Sequence, residues 1–223
     1  MSAAIVQSPS PVTLLGAGRI GRAALAASLK LAPVVVAADG GANMAVRAGI
    51  VPEAVIGDLD SVGRLARAAI PAARFHRIAE QETTDFEKCL TRIEAPFLLG
   101  LGFSGPRTDH TLAVWNALVR HPARACLILA GREVVFAAPR RMTLDVPPGT
   151  RVSLFPMARV SGRSRGLAWP IAGLDFAPDR RIGTSNRAEG AVELSFDAPG
   201  MLTILPAAVL PAAIAALRAS EAW

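Results

Sequence analysis

Lysine is almost missing from this chain: Lys30 and Lys88 are the only two among 24 basic residues. An amine placed where arginine is the rule makes Lys88 worth attention, although a helical lysine is by default a solvated surface charge. Cysteine is as scarce. Cys89 and Cys126 each sit in apolar surroundings, with no second cysteine or histidine at ligand spacing. That favours buried free thiols over a disulfide or a zinc site.

Long apolar runs are absent too. The stretch 204–217, ILPAAVLPAAIAAL, is too short and too interrupted by proline to span a bilayer. The N-terminus shows no basic segment followed by an apolar signal core, so a cytoplasmic, non-membrane protein is expected. Net charge is +6 and the pI about 10.8, yet the arginines are scattered singly and not interleaved with aromatics on any segment. No nucleic-acid partner is therefore expected, and an anionic small substrate suffices to account for the charge. The chain also lacks a G-x-x-x-x-G-K-[S/T] loop, a G-x-S-x-G elbow and an H-E-x-x-H helix, which removes P-loop, serine-hydrolase and zincin chemistry.

What is present is ample material for a core: 223 residues, 52% hydrophobic. From Pro11 to about Pro139, short β-rich runs alternate with alanine- and leucine-rich helical stretches. Strands are predicted at 12–15, 34–38, 54–56, 97–101, 126–130 and 133–137, and helices at 19–31, 42–48, 62–69, 84–93 and 109–120. This alternation predicts an α/β domain with a parallel sheet, over residues 1–137. After the proline- and arginine-rich stretch 138–150, read as a linker, helical periodicity stops. Runs such as RVSLFPM, AVELSFDA and MLTILP predict a smaller C-terminal all-β domain, 138–223, closed by a short helix in the tail.

The chemistry concentrates in four carboxylates, Asp39, Asp58, Asp60 and Asp85, in the segments VVVAADGGAN, VIGDLDS and QETTDFEKCL. Each follows an apolar run or opens a predicted helix, and the DGGAN and GDLDS segments put Gly40 and Gly41 after Asp39 and Gly57 before Asp58 and Asp60. In a parallel sheet such positions collect at the carboxyl ends of the strands, where glycine lets backbone approach phosphate. Carboxylates there are suited to holding Mg²⁺ against phosphate oxygens. Asp58 and Asp60, two apart, can share one cation in extended backbone or serve as a turn and helix cap. Together with Asp39 and Asp85, the metal reading is the stronger one. Thr84 and Glu87 have capping-box spacing, which makes Asp85 the first helical residue and sets Lys88 one turn on. Arg107, in a glycine-containing loop before Asp109, has the fork geometry for a phosphate.

GAGRIG, 16–21, also fits the dinucleotide fingerprint, with Asp39 downstream as a ribose ligand. An NAD-binding oxidoreductase is one rival reading. Against it stands the second acidic loop, which hydride transfer does not need, so the glycines are read as a tight strand-to-helix turn near phosphate.

In order, ADGGAN (38–43), IGDLDS (56–61), QETTDFEKCL (81–90), RTDH (107–110) and GTSN (183–186) resemble the motif series of the thiamine pyrophosphokinase family. The resemblance implies a thiamine diphosphokinase, which transfers pyrophosphate from ATP to the hydroxyethyl group of thiamine and gives thiamine diphosphate and AMP. It implies Mg²⁺ as cofactor, ATP and thiamine as partners, an α/β domain followed by a β-sandwich, and a homodimer with its active site between subunits. On that resemblance Asp39, Asp58, Asp60 and Asp85 hold the metal. Gly40, Gly41, Lys88 and Arg107 meet phosphate, with Asp109 close by. Gln81 faces nucleotide or thiamine, and Ser185, Asn186 and Trp169 approach thiamine. Two positions depart from the pattern: Pro106 replaces a glycine and removes a backbone N–H, and Glu80 replaces a shorter aspartate. The remaining rivals are a diphosphokinase for another alcohol, such as a hydroxymethylpterin, and a non-catalytic thiamine or nucleotide sensor.

Overall fold

A computed structural model describes residues 3–223 and divides them into two compact units. The first comprises residues up to Ala117 together with Ile128–Ala130, and the second Leu118–Leu127 and Gly131–Trp223.

In chain order the first unit carries β1 (Val6–Gln7), β2 (Val12–Leu15), α1 (Arg22–Leu31), β3 (Val34–Ala38), α2 (Gly41–Arg47), β4 (Ala54–Gly57), α3 (Arg64–Ala69), β5 (Phe75–Arg77), α4 (Asp85–Arg92), β6 (Ile93–Glu94), β7 (Leu98–Leu101) and α5 (Thr108–Arg120). Strand β8 (Cys126–Ala130) lies beside β7. The main sheet of this unit runs β7-β2-β3-β4-β5, and every one of those pairings is parallel. All residues of β2, β4 and β7 are buried, as an unbroken apolar run must be when helices cover both faces of a sheet. Against β3 and β4, helices α2 and α3 close a cluster of Ala37, Ala42, Val55, Val62, Ala66 and Ile70, with Leu59 and Phe75 at its edge. A parallel sheet delivers every strand-to-helix turn to one rim. Gly16, Asp39, Asp58 and Gly102 are the residues that directly follow β2, β3, β4 and β7.

The second unit is almost wholly antiparallel: β9 (Glu133–Ala137), β10 (Arg141–Leu144), β11 (Arg151–Pro156), β12 (Val160–Leu167), β13 (Asp175–Phe176), β14 (Gly183–Phe196), β15 (Met201–Pro206) and the closing helix α6 (Leu210–Arg218). Strand β14 is 14 residues long and pairs with β10, β11 and β12. Its register shifts against both β11 and β12. Such irregularities let one strand bend and serve more than one neighbour.

Two expectations need correction. The run at 133–137 is a strand, but it pairs antiparallel with β15 and belongs to the second unit, because its partner's register depends on a segment far along the chain. The stretch expected as a linker contains β10, whose alternating exposed and buried residues mark a half-covered strand. Strand β5 and the two-residue pair β1 and β6 were also missing from the expectation. Both cysteines are buried free thiols, and burial pushes both well above the ordinary thiol range. No helix among the described residues is long and apolar enough to cross a membrane.

Candidate active site

The strand-end rim of the first unit borders a cavity of about 610 Å³, lined by Gly16–Gly18, Asp39, Gly40, Asp58, Gln81, Asp85, Lys88 and Arg107 among others. Asp39 sits at its floor. The residue ends β3 with a left-handed backbone (φ 41°), a conformation that aspartate tolerates better than most side chains, and the chain turns there directly into α2. Its side chain is 4% exposed. One carboxylate oxygen accepts a hydrogen bond from Ser61 N (3.2 Å), and the other, Oδ1, is buried with no hydrogen-bond partner.

A buried carboxylate oxygen without a donor is costly and calls for an explanation. Burial, reinforced by the charge of Asp85, pushes the Asp39 carboxyl above its ordinary value. Oxygens of Asp39, Asp58 and Asp60 lie within 4.8 Å of one another. Three carboxylates from separate side chains, one of which also has an unsatisfied oxygen, fit a divalent cation such as Mg²⁺.

Asp58 and Asp60 converge for a reason different from the expected one. The segment is not extended: Leu59 between them is left-handed (φ 68°) and turns its side chain toward the α2/α3 cluster. The flanking carboxylates are left on the outer side. Gln81 Nε2 donates to Asp58 Oδ2 at 3.2 Å, and this bond is the main cause holding the Asp58 carboxyl below its ordinary value. The Ser61 hydroxyl donates to Asp60 Oδ1 at 2.8 Å.

Asp85 stands beside this triplet and not within it. As the spacing predicts, Thr84 is the cap of α4, its side chain accepting from Glu87 N, and Asp85 opens the helix. Asp85 Oδ1 is 3.4 Å from Lys88 Nζ, and Lys88 is only 2% exposed. The amine is therefore no solvated surface charge but is held below the rim against a carboxylate. Desolvation raises the Asp85 carboxyl, and Lys88 opposes it.

Other expected residues are placed differently. Gly40 borders the cavity, but Gly41 does not: a Cβ on it would lie 2.0 Å from the Leu15 carbonyl oxygen, so helix–strand packing demands that glycine. Arg107 makes a two-pronged ion pair with Asp109 (3.2 and 2.6 Å), both side chains exposed, and the pair lowers Asp109 to about 2. Glu80 turns inward on its own loop, accepting from Glu82 N (2.8 Å), Thr83 N (3.0 Å) and the Thr83 hydroxyl. It shapes the Gln81 loop. Two glycines of GAGRIG answer to packing as well: Cβ atoms on Gly16 and Gly18 would stand 2.5 and 2.7 Å from the Gly102 carbonyl oxygen, whereas one on Gly21 would meet nothing.

In the second unit Asn186 is buried and fully engaged. Its amide donates to Trp169 O (2.7 Å) and accepts from Trp169 N (3.2 Å) and Arg187 N (2.8 Å). Trp169 itself is 59% exposed, with the Arg187 guanidinium 5.7 Å from its ring centre. Ser185, exposed and left-handed (φ 62°), donates its N–H to Ser153 Oγ.

Sequence reasoning missed Asn43 and Arg67, whose side chains grip the loop that carries Asp58 and Asp60. Asn43 was present in the ADGGAN segment as a signal, and Arg67 had none.

Residues 25–129 match the family model of the thiamin pyrophosphokinase catalytic domain. That span contains the four carboxylates, Lys88 and Arg107, and excludes Trp169, Ser185 and Asn186. Among solved structures, the thiamin pyrophosphokinase from Candida albicans is 15% identical with a TM-score of 0.74, covering 88% of this chain and 90% of that one. The yeast thiamin pyrophosphokinase is 17% identical with a TM-score of 0.72 over 95% and 94%, and the Bacillus subtilis thiamine pyrophosphokinase 18% identical with 0.70 over 88% and 98%. At these identities the likeness speaks for the fold. No curated protein sequence matches the chain. The match over residues 25–129 thus likens that segment to the thiamin pyrophosphokinase catalytic domain, and the solved structures share its fold.

Proposed function

We propose that this protein is a thiamine diphosphokinase, moving the terminal pyrophosphoryl group of ATP to the hydroxyethyl oxygen of thiamine. The observation that carries the reading is the unsatisfied, buried Oδ1 of Asp39 within a three-carboxylate cluster at the floor of a cavity roomy enough for a nucleotide. A site built only for packing has no use for that oxygen. Asp39, Asp58 and Asp60 would hold Mg²⁺, with Asp85 adjacent, and the ion when bound supplies charge neutralisation at phosphate.

In the reaction the thiamine alcohol oxygen bonds to the β-phosphorus, the bond from that phosphorus to the α-phosphate oxygen breaks, and AMP leaves. The protein's part is positioning and electrostatics. Lys88, already desolvated, faces the developing charge with little reorganisation. Arg107 reaches phosphate by exchanging Asp109 for the ligand. The reading assigns the alcohol's proton to one carboxylate of the pair Asp58 and Asp60.

Trp169, held by Asn186, offers its ring to thiamine, so that Asn186 acts through Trp169. The reading includes a homodimer, checked by sedimentation with and without thiamine. Its direct test is AMP release from ATP and Mg²⁺ with thiamine against a panel of other alcohols, hydroxymethylpterin included. AMP release with thiamine alone supports the reading. Preference for another alcohol, or binding without AMP release, replaces it.

A further inference from the structure

Two side chains outside the carboxylate cluster hold the backbone on which Asp58 and Asp60 ride. Asn43, on α2, donates from Nδ2 to Ser61 O (2.9 Å) and accepts from Gly63 N at Oδ1 (2.8 Å). Arg67, on α3, donates from Nε to Val62 O (3.1 Å) and from a terminal nitrogen to Leu59 O (2.5 Å). Between them they engage the main chain at residues 59, 61, 62 and 63. The same loop sends Ser61 N to Asp39 Oδ2, so its position also sets that hydrogen bond to the Asp39 carboxylate.

These bonds are more than generic loop packing. An amide carries its donor and acceptor on separate atoms of one rigid plane, and Asn43 spends both on carbonyl and N–H groups two residues apart. Arginine's fork similarly spans two carbonyls that no single-point donor could serve together. Loops left to themselves move, whereas a cation cradle needs its oxygens held to within a fraction of an ångström. Leu59, packed against the edge of the α2/α3 cluster, already tethers the loop, so stability alone does not require a second and third fastening.

We propose that Asn43 and Arg67 are positioning residues that preset the 58–63 loop and thereby the Asp58 and Asp60 half of the cation cradle. The inference rests on the metal-site reading above, and the test separates the two. Hydrogen exchange on peptides covering 57–64 of the free protein reads the loop. Mn²⁺ binding followed by electron paramagnetic resonance, with α,β-methylene-ATP present, reads the cradle.

Asn43→Ala and Arg67→Ala should each speed exchange at 58–63 by roughly tenfold or more while α1 stays as protected as before. Mn²⁺ should bind about 10–100-fold more weakly, the range seen when outer partners of metal ligands are removed. Arg67→Lys, with charge kept and one reach lost, should fall between, and Asn43→Ser serves if the alanine variant does not fold. Asp60→Asn should weaken Mn²⁺ without quickening exchange. Unchanged exchange across 58–63 overturns the clamp, and so does quickened exchange with Mn²⁺ affinity intact when Asp60→Asn weakens it. Mn²⁺ binding indifferent to Asp60→Asn overturns the metal-site reading, while exchange still decides the clamp.

Discussion

Gly57 lies so close to Asp39 that a Cβ on Gly57 would stand 2.8 Å from the Asp39 Cβ and 3.0 Å from Asp85 Oδ1. The last residue of β4 is thus kept bare so that carboxylates from the ends of two other elements can approach across it. Gly57→Ala should therefore act as a wedge in the site. We expect a stability loss of about 1–3 kcal/mol, typical of overpacking. Turnover should fall roughly 10²-fold, as for misplacement by about an ångström. Chemical denaturation and AMP release measure the two, and a variant with normal turnover would show that Asp39 and Asp85 need not be so close.

Asp39 and Asp85 both have carboxyls raised above the ordinary 3.8, in each case first by burial. Such groups keep their protons to higher pH in the folded state than in the unfolded one. Their contribution to stability is therefore greatest at low pH and declines as pH rises from the ordinary value through the raised one. Asp58 runs the other way, its contribution present above the ordinary value and lost as pH falls through its lowered one. Asp39→Asn should make the metal-free protein about 1 kcal/mol more stable at neutral pH, as when function-bearing strain is relieved. It should also flatten the decline with pH and abolish stabilisation by Mg²⁺. Melting curves from pH 3 to 8, with and without Mg²⁺, follow all three effects.

How much of this could be read from the chain depends on the range of the forces involved. Short, mainly apolar runs announced β2, β3, β4 and β7, because burial on both faces admits a polar residue only where it finds a partner, as Thr13 does at the Ala32 carbonyl. Thr84 and Asp85 were placed correctly because capping is local, a matter of three residues. The pairing of β9 with β15 was hidden, since register between segments some seventy residues apart is set by packing. For the same reason Asp39, Asp58 and Asp60 were legible as candidates, while the left-handed turns at Asp39 and Leu59 that aim them were not. Gly16 and Gly18, read as a tight strand-to-helix turn, do line the cavity, but the close Gly102 carbonyl that demands glycine there was not visible in the chain.

That demand gives a third prediction. Gly18→Ala puts a methyl 2.7 Å from the Gly102 carbonyl oxygen, and the neighbour is backbone that cannot swing aside. The variant should lose about 1–3 kcal/mol of stability. NADH fluorescence should show no saturable binding to either protein. Tight NADH binding to the unaltered chain, lost in Gly18→Ala, would restore the dinucleotide reading.

The tie between Asn186 and Trp169 supplies the last test. Trp169→Ala should raise the KM for thiamine and leave the KM for ATP unchanged, because only the aromatic surface is removed. Asn186→Ala strips three hydrogen bonds from a buried site, at a cost of about 1–3 kcal/mol, and frees the backbone of Trp169. If Asn186 acts on thiamine only through that backbone, its substitution should also raise the thiamine KM, and it should add nothing once Trp169 is gone. The double variant would then match Trp169→Ala, a strong departure from additivity. A double variant whose effect is the product of the two single ones would instead give Asn186 its own contact with the substrate, and the amide would have to leave Trp169 to make it.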